Sequence, residues 1–102
     1  MRVISQHGNV DLPYEQIIVC HAMENVTALH NEKEYILGKY SSQEKAYKAM
    51  GMLKEHYGLL SFMKLIAGTT KYESFIRRFA EDDFIKATAE YFQFPQDDEI
   101  EV

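Results

Sequence analysis

The sequence predicts an α+β protein, in which a small antiparallel β-sheet from the N-terminal 40 residues packs with two to four helices. Short runs of β-branched residues, separated by turn residues, occupy residues 1–40. After residue 40 the apolar residues recur at the three- and four-residue spacing of helices. A length of 102 residues fits one domain. We therefore expect residues 1–102 to form a single domain, with the sheet in 1–40, a helical part in 41–91, and an edge strand and acidic tail in 92–102.

Five short strands are expected before residue 41. Gly8–Asn9 is a turn pair between two short apolar runs, which predicts two small strands or a hairpin. The third strand is rich in β-branched residues and is predicted to be buried. Turns at Glu24–Asn25 and Asn31–Glu32 are too short for crossover connections, which predicts an antiparallel meander. The predicted strands are residues 3–5, 10–12, 16–22, 26–30 and 34–40.

The first helix is predicted over residues 42–57. Ser41 and Glu44 have the spacing of a capping box, in which each side chain accepts a hydrogen bond from the backbone amide of the other residue. Gly58 stands where a helix C-terminus favours a left-handed residue, so we expect the helix to end there. The apolar face of this helix consists of Ala46, Ala49, Met50, Leu53 and Tyr57.

Further helices are expected between residues 59 and 91. Residues 59–67 predict a short buried helix, and a second capping box at Thr70–Glu73 predicts another helix from about residue 71. The apolar face rotates after Phe79, which predicts a break near 80–82 and a last helix over about 83–91. Phe92–Phe94 is expected to add an edge strand, because Pro95 is tolerated at strand ends and edges.

Charge and cysteine content limit the partners and the compartment. The formal net charge is −5 with a pI near 5.3, and residues 80–102 carry Lys86 against eight acidic residues. Such a chain repels phosphates, so direct nucleic-acid binding is not expected. One cysteine allows no internal disulfide, and the N-terminus does not resemble a signal peptide, so we expect a cytoplasmic protein. No apolar stretch is long enough to cross a bilayer, so no membrane partner is expected.

His21 and His30 are the best candidates for a metal site. With a hairpin turn at Glu24–Asn25, they would be diagonal neighbours on one face, with backbones roughly 7 Å apart. Two imidazoles at that distance can share a zinc ion with a third ligand. The spacing of zinc motifs is missing, so exposed polar residues on the wet face of the sheet are the favoured interpretation and no cofactor is expected.

No catalytic motif is recognisable. A nucleophilic cysteine needs a nearby base, and Cys20 stands in a predicted buried strand, where a small apolar side chain is the simpler role. Ser41 and Ser42 are accounted for as helix caps. The acidic residues stand in exposed runs without the paired arrangement that acid–base catalysis uses. We therefore expect the protein not to be an enzyme.

Two acidic groups are the candidate partner-binding residues. They can imitate phosphates and occupy a cationic groove on another protein. The alternative is that they keep the surface charged and cap a helix. The predicted partner-binding residues are Glu81, Asp82, Asp83, Asp97, Asp98 and Glu99.

Four segments carry a resemblance to a group of proteins. The chain resembles small uncharacterised proteins encoded in phages and mobile elements of Gram-positive bacteria, some of which are similar to anti-CRISPR proteins that block Cas9. The likeness covers both ends and the first helix, whereas residues 59–91 depart from the usual pattern. It implies no catalytic residue. The segments are Met1–Gln6, Asp11–Glu15, Leu37–Ala46 and Phe92–Val102, the last of which begins with Phe-Gln-Phe-Pro and continues with acidic residues.

The resemblance and the charge together predict a non-enzymatic mobile-element protein that binds and inhibits a host defence protein, with Cas9 as the expected partner. One alternative is a nucleic-acid-binding regulator of the mobile element that uses Lys71, Arg77 and Arg78. The other alternative is a small structural protein stabilised by zinc at His21 and His30.

Overall fold

The computed structural model of the protein describes residues 1–67 and 89–101. It confirms the α+β class, with six strands and one α-helix in these ranges. The strands are β1 (Arg2–Ile4), β2 (Asp11–Pro13), β3 (Ile18–Ala22), β4 (Asn25–His30), β5 (Lys33–Lys39) and β6 (Tyr91–Gln93), and the helix is α1 (Gln43–Ile66). Two 3-10 turns are present at Tyr14–Gln16 and Asp97–Glu99.

The strands form two three-stranded sheets, so the prediction of one antiparallel sheet within residues 1–40 is wrong. The first sheet has the order β2-β1-β6, and the second has the order β3-β4-β5. β1 and β2 form the predicted antiparallel pair, with Val3 opposite Leu12. β6 then pairs with β1 in parallel, with Phe92 opposite Val3. The C-terminal segment is therefore an edge strand, as predicted, but it makes the first sheet a mixed one.

The second sheet is the predicted meander with one turn displaced. Asn31 and Glu32 both have positive φ, as the predicted two-residue turn between β4 and β5 requires. The turn between β3 and β4 lies at Met23–Glu24, and Met23 has a φ of 56°. The predicted turn at Glu24–Asn25 is therefore wrong by one residue. This displacement changes which residues of β3 and β4 lie opposite one another.

The helix α1 is a single element of 24 residues, so the predicted end at Gly58 is wrong. Ser42 is the N-cap, and its hydroxyl accepts a hydrogen bond from the backbone amide of Lys45 at 3.2 Å. The predicted N-cap, Ser41, is therefore wrong by one residue. A glycine within a helix costs only about 1 kcal/mol, and the buried face continues past it at helical spacing. The buried side chains are Ala46, Ala49, Met50, Leu53, Leu60, Met63 and Ile66.

The prediction of two to four helices is not supported by the described part of the chain, which contains one. Residues 42–57 and 59–67 were expected to form two helices, and their single apolar face joins them into α1. The helices predicted within 71–91 fall largely on residues outside the described ranges. Their predicted end at residue 91 is wrong, because Tyr91 begins β6.

The core lies between α1 and the inner face of the second sheet and extends to the first sheet. Val26 and Ala28 of β4 are fully buried beneath α1, and Phe94 and Ile100 close the core from the C-terminal segment. No helix in the described ranges has both the length and the apolar character needed to cross a membrane.

Candidate protein-binding surface

The two histidines lie too far apart to share a metal ion. His21 is opposite Val26, and His30 lies four residues further along β4. Four strand residues span about 13 Å. The backbones of His21 and His30 are therefore about twice as far apart as the roughly 7 Å expected from the sequence. The His21 ring meets the Tyr47 ring of α1 edge to face, with centroids 5.9 Å apart. The predicted pairing of His21 with Ala28 is therefore wrong, and this face of the sheet points towards the helix.

Metal-binding residues do not cluster in the described part of the chain. No group of three or more His, Cys, Asp or Glu side chains lies there at metal-binding distance. The Nε2 atom of His30 is buried without a hydrogen-bond partner, but within the described ranges His30 belongs to no group of three or more potential metal ligands.

Two of the three candidate acids in the tail stabilise the fold. Asp97 accepts a hydrogen bond from the backbone amide of Ser41 at 2.7 Å and forms an ion pair with Lys45 at 3.4 Å. Glu99 accepts from the backbone amide of Gln96 at 2.8 Å, which closes a capping box. Asp98 is exposed and has no such partner within the described residues. The tail therefore offers Asp98, more than its neighbours, to another molecule.

Asp97 should give the protein an acid-sensitive component of stability. The hydrogen bond from the Ser41 amide, followed by the contact with Lys45, holds the pKa of the Asp97 carboxyl below its usual value of 3.8. A lowered pKa in the folded state stabilises the protein above the unfolded-state pKa, and this stability disappears as pH falls through the folded-state pKa. We expect the stability difference between wild type and Asp97→Asn to be present near pH 7 and to shrink as the pH falls below the usual carboxyl pKa of 3.8.

Urea unfolding at several pH values measures this difference. Asp98→Asn is the matched control, because it removes a neighbouring, exposed carboxylate that has no partner among residues 1–67 and 89–101. A gap between wild type and Asp97→Asn that stays constant down to about pH 2.5 would contradict the assignment.

The other candidate residues lie outside the described ranges. Glu81, Asp82 and Asp83 belong to residues 68–88, as do the cations Lys71, Arg77 and Arg78. Their proposed roles in binding remain predictions.

The outer face of the second sheet exposes a row of apolar side chains, which we call the apolar row. Ile18 of β3 lies opposite Leu29 of β4, and Thr27 lies opposite Ile36 of β5. Ile18 is 66% exposed, Leu29 41% and Ile36 46%. Large apolar side chains gathered on one open face are typical of interaction surfaces. The apolar row is therefore the leading candidate for contact with a partner.

β3 lies at the edge of the sheet and is exposed, so the prediction of a buried strand is wrong. Cys20 is an exposed free cysteine, and its Sγ lies 3.2 Å from the Thr27 hydroxyl. A run of β-branched residues does not distinguish an internal strand from an edge strand, because both favour the same side chains. The predicted burial of Cys20 is wrong for the same reason.

A cavity of about 190 Å³ lies between β3 and α1, on the opposite side of the sheet from the apolar row. It opens beside Val19 of β3, and the Lys54 side chain contributes to its wall. The lining residues are Tyr14, Ile17, Val19, Met50, Leu53 and Lys54. Sequence reasoning missed this cavity, because it arises from the distance between a sheet edge and a helix.

Comparisons with protein-family models, with curated proteins and with solved structures give no match for this chain.

Proposed function

We propose that this chain is a non-enzymatic, mobile-element protein that binds and inhibits a host defence protein, with Cas9 as the first target to test. The observation that carries the proposal is the apolar row on the outer face of the second sheet. A protein partner that covered Ile18, Leu29 and Ile36 would remove these side chains from water, and burial of apolar surface drives most protein association.

The charge of the described residues favours a basic partner surface. These residues carry twelve Asp and Glu against seven Lys and Arg. Proteins that hold nucleic acid present basic channels, and an acidic protein is attracted to them and repelled by phosphates. In the tail, Asp98 and the exposed side chain of Glu101 are available for this role.

The first test is inhibition of DNA cleavage by guide-loaded Cas9. Inhibition is expected to be complete near one equivalent of the protein and to be accompanied by a stable complex on size exclusion. Inhibition at substoichiometric amounts would indicate turnover and contradict a binding mechanism. The absence of any complex with Cas9 would eliminate this target.

The second test examines the apolar row and the tail acids separately. Ile18→Ser combined with Ile36→Ser should weaken the complex about tenfold or more, with Leu65→Ser as the control for an exposed apolar residue on α1. Asp98→Lys combined with Glu101→Lys should weaken it further and reduce its salt dependence. Glu55→Lys is the matched control for an exposed acid on the helix. Binding that is insensitive to salt and to the tail charges would leave the apolar row as the sole determinant.

A further inference from the structure

β3 is a sheet edge that, among the described residues, lacks the features that usually protect such edges. Proteins protect exposed edges with charged residues, proline, very short strands or covering segments. β3 has five residues, none of them charged and none of them proline. Its outer edge takes part in no hydrogen bond formed by the described residues. A strand of this kind can accept another strand.

The other three edges in the described ranges are protected. β5 carries Lys33, Glu34 and Lys39, and the side chain and backbone of Gln6 bond to its C-terminal end. β2 has only three residues and contains Asp11 and Pro13. β6 is also limited to three residues. Among the described sheet edges, β3 is therefore the one that lacks such protection.

The hydrogen-bonding groups that β3 offers can be assigned from the hairpin. Ala22 and Asn25 close a two-residue loop, which makes them a hydrogen-bonded pair. Bonded and non-bonded pairs alternate along an antiparallel ladder. Val19 and His21 therefore direct their N–H and C=O groups away from β4. A strand added at this edge would bond to those four groups.

The cavity beside β3 fits an alternate side chain of such a strand. Successive side chains of a strand point to opposite faces of the sheet, so every second residue of an added strand would point towards α1 next to Val19. An apolar cavity of about 150 Å³ can hold benzene, so a cavity of about 190 Å³ has room for a leucine or phenylalanine side chain. Lys54 has no ion-pair partner among the described residues, and its ammonium group suits a carboxylate near that side chain.

We propose that β3 binds an extended segment of a target protein as a fourth strand of the second sheet. The segment has a large apolar residue that fills the cavity and, two residues away on the same face, an Asp or Glu that pairs with Lys54. Strand addition of this kind takes its affinity from main-chain hydrogen bonds and its specificity from the pockets for alternate side chains. The inference rests on the proposed protein-binding function and specifies how the partner is held.

The test uses random peptides of about nine residues, displayed on phage and selected on the purified protein. The enriched peptides are expected to contain a large apolar residue and, two positions away on the same face of the strand, an acidic residue. Binding of such a peptide should slow the exchange of the Val19 and His21 amide protons about tenfold or more. A selection that enriches nothing, or a peptide that protects other amides instead, would overturn the proposal.

Two substitutions of His21 test whether the peptide binds to the outer edge of β3. His21→Pro removes an outward N–H that the β3–β4 ladder does not use, and proline is tolerated at such edge positions. It should weaken peptide binding about tenfold, whereas His21→Ala, which keeps the N–H, should bind like wild type. Circular dichroism confirms that both variants fold. Equal peptide binding by His21→Pro and His21→Ala would overturn strand addition. Separately, Lys54→Glu should remove the preference of the selected peptides for an acidic residue.

Two further outcomes separate this inference from its alternatives. A dimer that forms in sedimentation runs and is lost in His21→Pro would mean that a second copy occupies the edge, which would overturn the proposal. Binding of Cas9 that is unchanged in His21→Pro would leave the proposed function standing without strand addition. Peptide binding without any binding of Cas9 would support strand addition at β3 and eliminate Cas9 as the target.

Discussion

Phe94→Ala is expected to lower the free energy of unfolding by about 3–5 kcal/mol. Phe94 is 1% exposed, and its ring meets the Phe92 ring edge to face with centroids 5.2 Å apart. Its backbone amide also donates to the carbonyl of Ile4 at 3.0 Å, which joins the C-terminal segment to β1. Truncation to alanine removes the buried ring and leaves a cavity that its neighbours fill only in part. Small domains have a total stability of about 5–15 kcal/mol, so this loss would bring the protein close to unfolding.

Urea unfolding followed by circular dichroism measures the effect. Tyr91→Ala is the matched control, because it removes an aromatic ring from β6, the strand directly before Phe94 in the chain, and this ring is 54% exposed. The control should lose less than about 1 kcal/mol. A loss of similar size in the two variants would show that the C-terminal segment does not close the core.

The local features of the sequence predicted the helix and the meander well. The apolar spacing from Ala46 to Leu53 identified the buried face of α1, and Asn31–Glu32 identified a hairpin turn. Both features depend on residues close together in the chain, where a short pattern carries the information. Gly58 misled the prediction, because the favourable burial of Leu60 and Met63 exceeds the cost of one glycine.

The features that depend on distant residues could not be predicted. The parallel pairing of β6 with β1 joins segments from the two ends of the chain, and nothing local specifies which strand Phe92 will join. The displaced turn at Met23 places a methionine at positive φ, which few non-glycine residues adopt. The register set by this turn buries Val26 and Ala28 beneath α1, and the free energy of that burial offsets the cost of the positive φ at Met23. A strand with one buried face has its register fixed by that burial.

The two candidate binding features differ in how they arise. The acidic tail was visible in the sequence, yet the structure engages Asp97 and Glu99 within the molecule. The open edge of β3 was hidden in the sequence, since an unprotected edge becomes apparent only when the strand order is known. Charged segments are thus easy to recognise from composition, whereas the surface best suited to a partner followed from the sheet topology.

Gln6 is the buried polar residue that connects three segments of the fold. It is 6% exposed, and its side-chain Nε2 donates to the carbonyls of Lys39 and Pro95 at 3.2 and 3.1 Å. Its Oε1 accepts from the Lys39 amide at 2.8 Å, and its own carbonyl accepts from the Gln96 side chain at 2.8 Å. A buried polar group is stabilising only when its partners are present. These bonds therefore fix the end of β5 against the C-terminal segment.

Gln6→Ala is expected to lower the free energy of unfolding by about 2–4 kcal/mol. The substitution removes three side-chain hydrogen bonds and leaves the Lys39 amide without its acceptor. Gln16→Ala, at an exposed position of the first 3-10 turn, is the control and should change stability by less than about 0.5 kcal/mol. Equal effects in the two variants would mean that the Gln6 bonds contribute nothing to stability.

Gln6→Glu tests whether Gln6 stabilises the protein through its hydrogen bonds or only through the volume of its side chain. The carboxylate keeps an acceptor for the Lys39 amide, but its second oxygen would face the two carbonyls that now accept from Nε2. Burial against these oxygens disfavours the charged form, so the pKa of the new carboxyl should be raised in the folded state. The folded state then binds a proton more tightly than the unfolded state, and the variant should gain stability relative to wild type as pH falls from about 7 to 5. A pH-independent difference between Gln6→Glu and wild type would show instead that this position requires only the volume of the side chain.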